Sequence, residues 1–170
     1  MKIEEVILVN EQDVPVGRME KLEAHRLGKL HRAFSIFIFN SKGELLLQRR
    51  AKSKYHSGGL WSNTCCGHPR PGEETDAAAV RRLFEEAGLK LKLTHQYSFS
   101  YRTEYKEGLT ENEIDHVFFG TSDLFPQHNP VEADEWKYIA LPELKREVAT
   151  HPEKFTSWFL ICLNRLNSSV

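Results

Sequence analysis

A chain of 170 residues, 40% hydrophobic and 28% charged, holds enough apolar material for one globular core, so residues 1–170 are read as a single domain. Its 23 basic residues against 24 acidic ones leave a formal charge of −1, which excludes a global field for nucleic acid or an anionic membrane. No apolar run approaches the ~20 residues that span a bilayer, the N-terminal MKIEEVILVNEQD has no small-residue cleavage site, and Cys65, Cys66 and Cys162 make no disulfide framework. The expectation is a soluble cytoplasmic protein.

In chain order, Glu4–Val9 reads as a strand, Asn10–Gly17 as the turn after it and Met19–Arg26 as a short helix stopped by Gly28. Arg32–Phe39 is apolar on nearly every residue and predicts a strand buried on both faces, with Glu44–Arg50 returning from an Asn40–Gly43 turn. Ala51–Gly59 has loop composition, and Trp61–Cys66 predicts a short strand. Ala77, Val80, Phe84 and Ala87 recur at helical spacing, which predicts a helix over Glu74–Ala87 ended by Gly88. Strands follow at Leu89–Leu93, Gln96–Tyr105, Thr110–Thr121 and Glu135–Ala140. Pro142 starts a helix over Leu141–Val148, and the Thr150–Glu153 capping box opens a last one over Phe155–Leu166. The sum is an α+β (α/β) sandwich, a mixed β-sheet flanked by helices.

The segment Trp61–Leu89, WSNTCCGHPRPGEETDAAAVRRLFEEAGL, concentrates the chemistry. From Gly67 it runs five residues to Glu73, seven more to Arg81, then Leu83, Glu85, Glu86, Gly88 and Leu89. This spacing resembles the Nudix box, with Arg82 standing where the box has its first helix glutamate. A carboxylate on such a helix can hold a hard divalent cation that bridges diphosphate oxygens. Glu85 and Glu86 alone would read as a solvated helix face, with Arg81 and Glu85 an i, i+4 pair, but the ordered spacing reverses that preference. Hydrolases of the superfamily use several box glutamates, so a cation at position 82 weighs against hydrolysis.

A second constellation is His25, His31 and His68 with Glu111 and Glu113, the two glutamates lying i, i+2 on one strand face. Three imidazoles and two carboxylates suit a five- or six-coordinate Zn²⁺ or Mn²⁺. The other five histidines receive no role.

The segments EKLEAHRLGKLHRAF, NTCCGHPRPGEE and TENEIDHVFF together resemble those of type I isopentenyl diphosphate isomerases, a Nudix-fold family, over most of the chain from Val6 to about Phe159. The resemblance implies a Nudix-type sandwich and interconversion of isopentenyl and dimethylallyl diphosphates. It implies that His25, His31, His68, Glu111 and Glu113 are metal ligands, and that Cys66 and Glu113, the latter helped by Tyr101, are the acid/base pair. It further implies that Glu86 holds Mg²⁺ against the diphosphate, that Lys21, Arg50, Lys54 and Arg82 cradle the phosphates, and that Trp158 covers the hydrocarbon end. Mg²⁺ with the substrate and a second ion, Mn²⁺ or Zn²⁺, are the expected cofactors. A monomer or weak dimer acting on a small molecule, with no nucleic-acid or membrane partner, is the expected state.

Physical logic agrees with these roles. Moving an unactivated double bond requires adding one proton and removing another through a tertiary carbocation kept from water. A thiol near its ordinary pKa of about 8.5 is protonated at neutral pH and can donate, and an indole face stabilises a desolvated cation by roughly 2 kcal/mol. Strand alternation sends Cys65 and Cys66 to opposite faces, so only one thiol meets the substrate. A Nudix hydrolase acting on a nucleotide-type substrate is the alternative, and a non-catalytic diphosphate or RNA-binding module a third.

Overall fold

The structure, a computed structural model, describes residues 3–127 and 129–167, so the sequence-read domain limits at 1 and 170 lie outside the described residues. The chain opens on an antiparallel pair, β1 (Glu5–Val9) and β2 (Pro15–Glu20). The expected turn over Asn10–Gly17 is shorter than its composition suggests. Asn10 Oδ1 accepts from the backbone N–H groups of Gln12 and Val14, closing the turn early, and Pro15–Gly17 already belong to β2. Helix α1 (Lys21–Arg26) accordingly starts later than Met19, capped by the Glu20 carboxylate on the N–H groups of Leu22 and Glu23.

β3 (His31–Phe39) is the spine of the sheet. One of its edges is shared in succession by β1 at His31, by β6 (Cys65–Gly67) at Phe34–Ile36 and by β4 (Leu45–Arg50) at Phe39, while β5 (Trp61–Ser62) pairs with β4. The expected single strand Trp61–Cys66 is therefore two, because the chain steps from β4 to β3 at Asn63 and Thr64. Thr64 fills the gap where β3 and β4 splay, accepting from Ile38 N–H at 3.0 Å and donating to Leu46 C=O at 2.7 Å.

Helix α2 (Thr75–Ala87) ends at Gly88, whose φ of 68° is the left-handed conformation glycine adopts without strain. Its buried face is Ala78, Ala79, Leu83, Glu86 and Ala87, not the expected Ala77, Val80 and Phe84, of which Val80 and Phe84 are 38% and 48% exposed. Residues 89–93 form no strand: the outer edge of β8 is taken by β7 (Thr94–Glu104), and Leu91 and Leu93 pack against the α2 cluster instead. β8 (Thr110–Thr121) runs parallel to β3 and antiparallel to β7, and β9 (Ala133–Ile139) pairs antiparallel with β4, so the sheet is mixed.

Helix α3 (Leu141–Thr150) is followed by a 3₁₀ turn at Pro152–Lys154 and by α4 (Ser157–Asn167). The capping box read at Thr150 does not form, since its hydroxyl donates back to the carbonyls of Arg146 and Glu147. Phe155 and Thr156 stay extended because they bridge to Trp61, which delays the last helix to Ser157.

α2 covers one sheet face over Phe34, Ile36, Ile38, Leu46 and Cys65. α3 and α4 cover the other over Phe37, Leu45, Leu47, Phe99 and Val117, with Cys66 and Tyr101 packed against that second cluster. This is the expected α+β sandwich, and it places Cys65 and Cys66 on opposite faces. Among the described residues no helix is long and apolar enough to cross a membrane.

Candidate active site

The β3–β8 register sets His31 opposite Glu113, and the β7–β8 register sets Tyr101 opposite Glu113 from the other side. His31 Nδ1–H donates to Lys29 C=O at 2.8 Å and His25 Nδ1–H donates to Lys21 C=O at 2.7 Å, so each ring turns its Nε2 inward. Glu113 Oε1 is 3.2 Å from His31 Nε2, 3.0 Å from His68 Nε2 and 3.9 Å from His25 Nε2. The four donor atoms of His25, His31, His68 and Glu113 all lie within 4.8 Å of one another.

His25 Nε2 is fully buried without a hydrogen-bond partner, a state that costs about 1–3 kcal/mol. Burial depresses its pKa to about 4, so the nitrogen stays a lone-pair donor at neutral pH. Burial would also lower His31, but the hydrogen bond and charge of Glu113 raise it; burial would raise Glu113, but His31 and His68 hold it well below the usual carboxylate range. Imidazole nitrogens converging on one ionised carboxylate are the donor set that a divalent cation such as Zn²⁺ or Mn²⁺ takes, and these residues fit one.

Glu111 adjoins this set. It accepts from Tyr101 Oη–H at 3.0 Å and Tyr105 Oη–H at 2.8 Å, faces His56 Nε2 at 3.4 Å, and shares a second group of donor atoms with His25 and His56. Tyr101 Oη also lies 2.7 Å from Glu113. Burial and the charge of Glu113 push Glu111 upward, opposite to the shift of Glu113.

Cys66 is placed by β6. Its Sγ–H donates to Asn63 Oδ1 at 3.2 Å, with Ser35 Oγ at 3.7 Å, and burial followed by the nearby Asp115 holds the thiol above its ordinary range. Trp158, 3% exposed, closes the same space from α4, and a register shift between Arg49 and Arg50 lets the Arg50 guanidinium lie 5.1 Å from its ring centroid.

Opposite stands a cationic wall. Lys21 pairs with Glu4 and lies 5.3 Å over the Tyr55 ring; Lys54 pairs with Glu132; Arg82 pairs with Glu86, with Glu85 at 2.7 Å and with Glu132 at 3.3 Å. Glu86, 5% exposed, also accepts from Gln48 Nε2–H at 3.0 Å. Arg81 lies apart, gripping Glu73 with two hydrogen bonds and Glu85 with two more. Gly67, the first residue of the box, is required here: a Cβ would meet Phe34 at 2.8 Å and the Arg82 stem at 3.2 Å.

One pocket gathers Lys21, Arg50, Lys54, Cys66, His68, Tyr101, Arg82, Glu86, Glu111, Glu113 and Trp158, with His25 and His31 behind it. Sequence reasoning missed His56, Glu4, Glu132, Asn63 and Asp115. Asp115 carried a signal, the period-two row Glu111, Glu113, Asp115; the others sit in loops or at a strand break with none.

A NUDIX domain profile matches residues 29–159. The isopentenyl-diphosphate Delta-isomerase of Pectobacterium atrosepticum is 52% identical over 98% of this chain and 93% of its own length. Isopentenyl-diphosphate Delta-isomerase 2 of Aromatoleum aromaticum is 54% identical over 97% and 87%. Among solved structures, DR0079 from Deinococcus radiodurans superposes with a TM-score of 0.73 at 26% identity, covering 86% of this chain and 90% of that one. The MutT protein of Methanosarcina mazei shares the fold, with a TM-score of 0.67 at 21% identity over 82% and 94%. The chain belongs to the NUDIX family and, within it, to the isopentenyl-diphosphate Delta-isomerases.

Proposed function

We propose that this protein interconverts isopentenyl and dimethylallyl diphosphate through protonation and deprotonation of the double bond. The observation that carries the reading is the gathering in one pocket of a thiol, a buried carboxylate and an indole with four cationic side chains. A hydrolase has no use for the first three, and a cation, Arg82, stands where its box carries a further glutamate.

Cys66, held protonated by burial, donates its proton to the terminal methylene carbon. Positive charge then develops at the tertiary carbon, where the Trp158 face stabilises it. Glu113, held ionised, removes a proton from the carbon on the diphosphate side, completing the shift of the double bond. Tyr101, bonded to both glutamates, keeps the Glu113 carboxylate oriented. Lys21, Arg50, Lys54 and Arg82 bind the diphosphate and fix the hydrocarbon between the two proton-transfer groups, a contribution mainly of orientation.

His25, His31, His68 and Glu113, with Glu111 adjoining, would hold Mn²⁺ or Zn²⁺, and Glu86 a Mg²⁺ shared with the diphosphate; when bound, these ions supply positive charge to the Glu113 carboxylate and to the phosphates. The active unit is one domain, monomeric or weakly dimeric, in the cytoplasm. Proton NMR of isopentenyl diphosphate with the purified protein and Mg²⁺ tests the reading. Dimethylallyl diphosphate without phosphate release is expected; unchanged substrate or free phosphate overturns it.

A further inference from the structure

Asn63 lies at the step between β5 and β6, 1% exposed, with every polar atom of its side chain committed. Its Nδ2–H₂ donates to Ile36 C=O on β3 at 3.2 Å and to Cys65 C=O at 2.9 Å. These two carbonyls fix the orientation of the amide, since a flipped group would set oxygen against both of them. Oδ1 therefore points toward α4, where it meets Cys66 Sγ–H at 3.2 Å, Trp158 Nε1–H at 3.2 Å and Ser62 Oγ–H at 2.9 Å.

An amide oxygen has two lone pairs for these three donors. Ser62 has another acceptor, Thr156 Oγ1, at 2.9 Å. The indole has no other partner among the hydrogen bonds described, and the thiol has only Ser35 at 3.7 Å. The oxygen is shared by all three, with the Ser62 hydroxyl nearest, and among the described residues it is the one atom that meets both the Cys66 thiol, from the sheet, and the Trp158 indole, from the last helix.

We propose that Asn63 is a positioning residue for the isomerisation, one oxygen setting the Cys66 thiol and the Trp158 indole at a fixed separation. This rests on the proposed function. In that reaction the proton leaves sulfur as charge appears beneath the indole, so an error in their spacing misplaces both events at once. Asn63 makes no hydrogen bond to Lys21, Arg50, Lys54 or Arg82, so its loss should act on turnover more than on substrate binding.

The test compares wild type, Asn63→Ala, Asn63→Asp, Trp158→Phe and the Asn63→Ala/Trp158→Phe double variant. Turnover is followed by proton NMR, native-state alkylation of Cys66 by peptide mapping, and folding by circular dichroism. Asn63→Ala is expected to lower kcat on the order of 100-fold with KM within about threefold. Asn63→Asp, kept protonated by burial, leaves one oxygen facing both donors and gives its O–H to one of the two carbonyls, and is expected to recover at least about tenfold of that loss. Trp158→Phe is expected to cost far less in the Asn63→Ala background than in wild type, because the tie it breaks is already gone. Losses that multiply independently, or a KM rise that accounts for the whole defect, would overturn the proposal.

If Asn63→Ala does not fold, Asn63→Ser takes its place, its shorter side chain falling short of both donors: a kcat loss on the order of 100-fold with faster Cys66 alkylation supports the tie, and unchanged kcat and alkylation refute it. Alkylation separates this idea from the proposed function. Cys66 freed by Asn63→Ala should alkylate several times faster than in wild type, whether or not the protein isomerises anything. An unchanged rate removes Asn63 from the thiol, whereas a wild type that produces no dimethylallyl diphosphate removes the reaction.

Discussion

At the imidazole wall of the pocket His25 and His31 have no solvent exposure, and each gives its Nδ1–H to a backbone carbonyl, so the donor atoms are aimed before any ion arrives. At the cationic wall Lys21, Lys54 and Arg82 are partly exposed and stand against carboxylates, held by charge that an arriving anion can redistribute. One wall is fixed by backbone and burial, the other by Coulomb pairing. Metal retention should therefore depend on a few buried groups acting as a unit, and substrate affinity on a set of separable charges.

The hardest blow to the first wall is Glu113→Gln, which removes the carboxylate that three imidazoles face. Turnover is expected to fall by about a thousandfold or more, with circular dichroism unchanged and bound metal reduced on elemental analysis. Activity within tenfold of wild type would break the idea that this wall acts as one unit.

At the second wall Arg82→Ala is expected to raise KM on the order of 10- to 100-fold, the worth of a lost charge-assisted hydrogen bond to phosphate, without changing metal content. Raising salt from about 0.05 to about 0.5 M should raise the wild-type KM in the same direction and leave bound metal unaltered, because screening reaches the exposed charges and not the buried ones. Metal lost in step with substrate affinity would erase the distinction between the walls.

The smallest effect tests whether His56 belongs with the buried, neutral imidazoles. Burial, then Arg50, holds its folded pKa at about 3, below the ordinary value near 6.5. Between those values the unfolded chain binds a proton that the folded chain does not, so the stability His56 gives is intact above pH 6.5 and lost as pH falls toward 3. In metal-free protein, urea denaturation of wild type against His56→Asn should show a stability difference drifting against wild type by about 1.4 kcal/mol per unit below pH 6. A difference independent of pH would place His56 in solvent.

Much of this site was legible because it is written locally. The Gly67-to-Leu89 spacing and C-G-H-P each run through continuous sequence around β6 and α2, and E-N-E lies within β8, where period alone sets which side chains share a face. The presence of α2 followed from its spacing, but its buried side did not. Two offset stripes fit the same period, and the one facing the sheet consists of alanines, Leu83 and a glutamate, while the more conspicuous Phe84 lies outside under the Lys90 ammonium. Glu132 and His56 could not be read at all, because they reach the pocket from loops whose path is set by contacts with residues far away in sequence. The strand expected at Leu89–Leu93 failed for a related reason: extended, apolar residues become a strand only where a free edge awaits them.

A strand has two faces, so the choice between two adjacent thiols is a matter of odd and even. Asn63 and Thr64 are the two residues over which the chain crosses from β4 to β3, and they decide that count before Cys65 is reached. Removing one of them would present Cys65 to the pocket and bury Cys66 beneath α2, with the composition of the site otherwise unchanged. The hydrogen bonds of Thr64 to Ile38 and Leu46 act as a ratchet on that parity, so which sulfur faces the pocket is stored in the length of a turn rather than in the cysteines themselves.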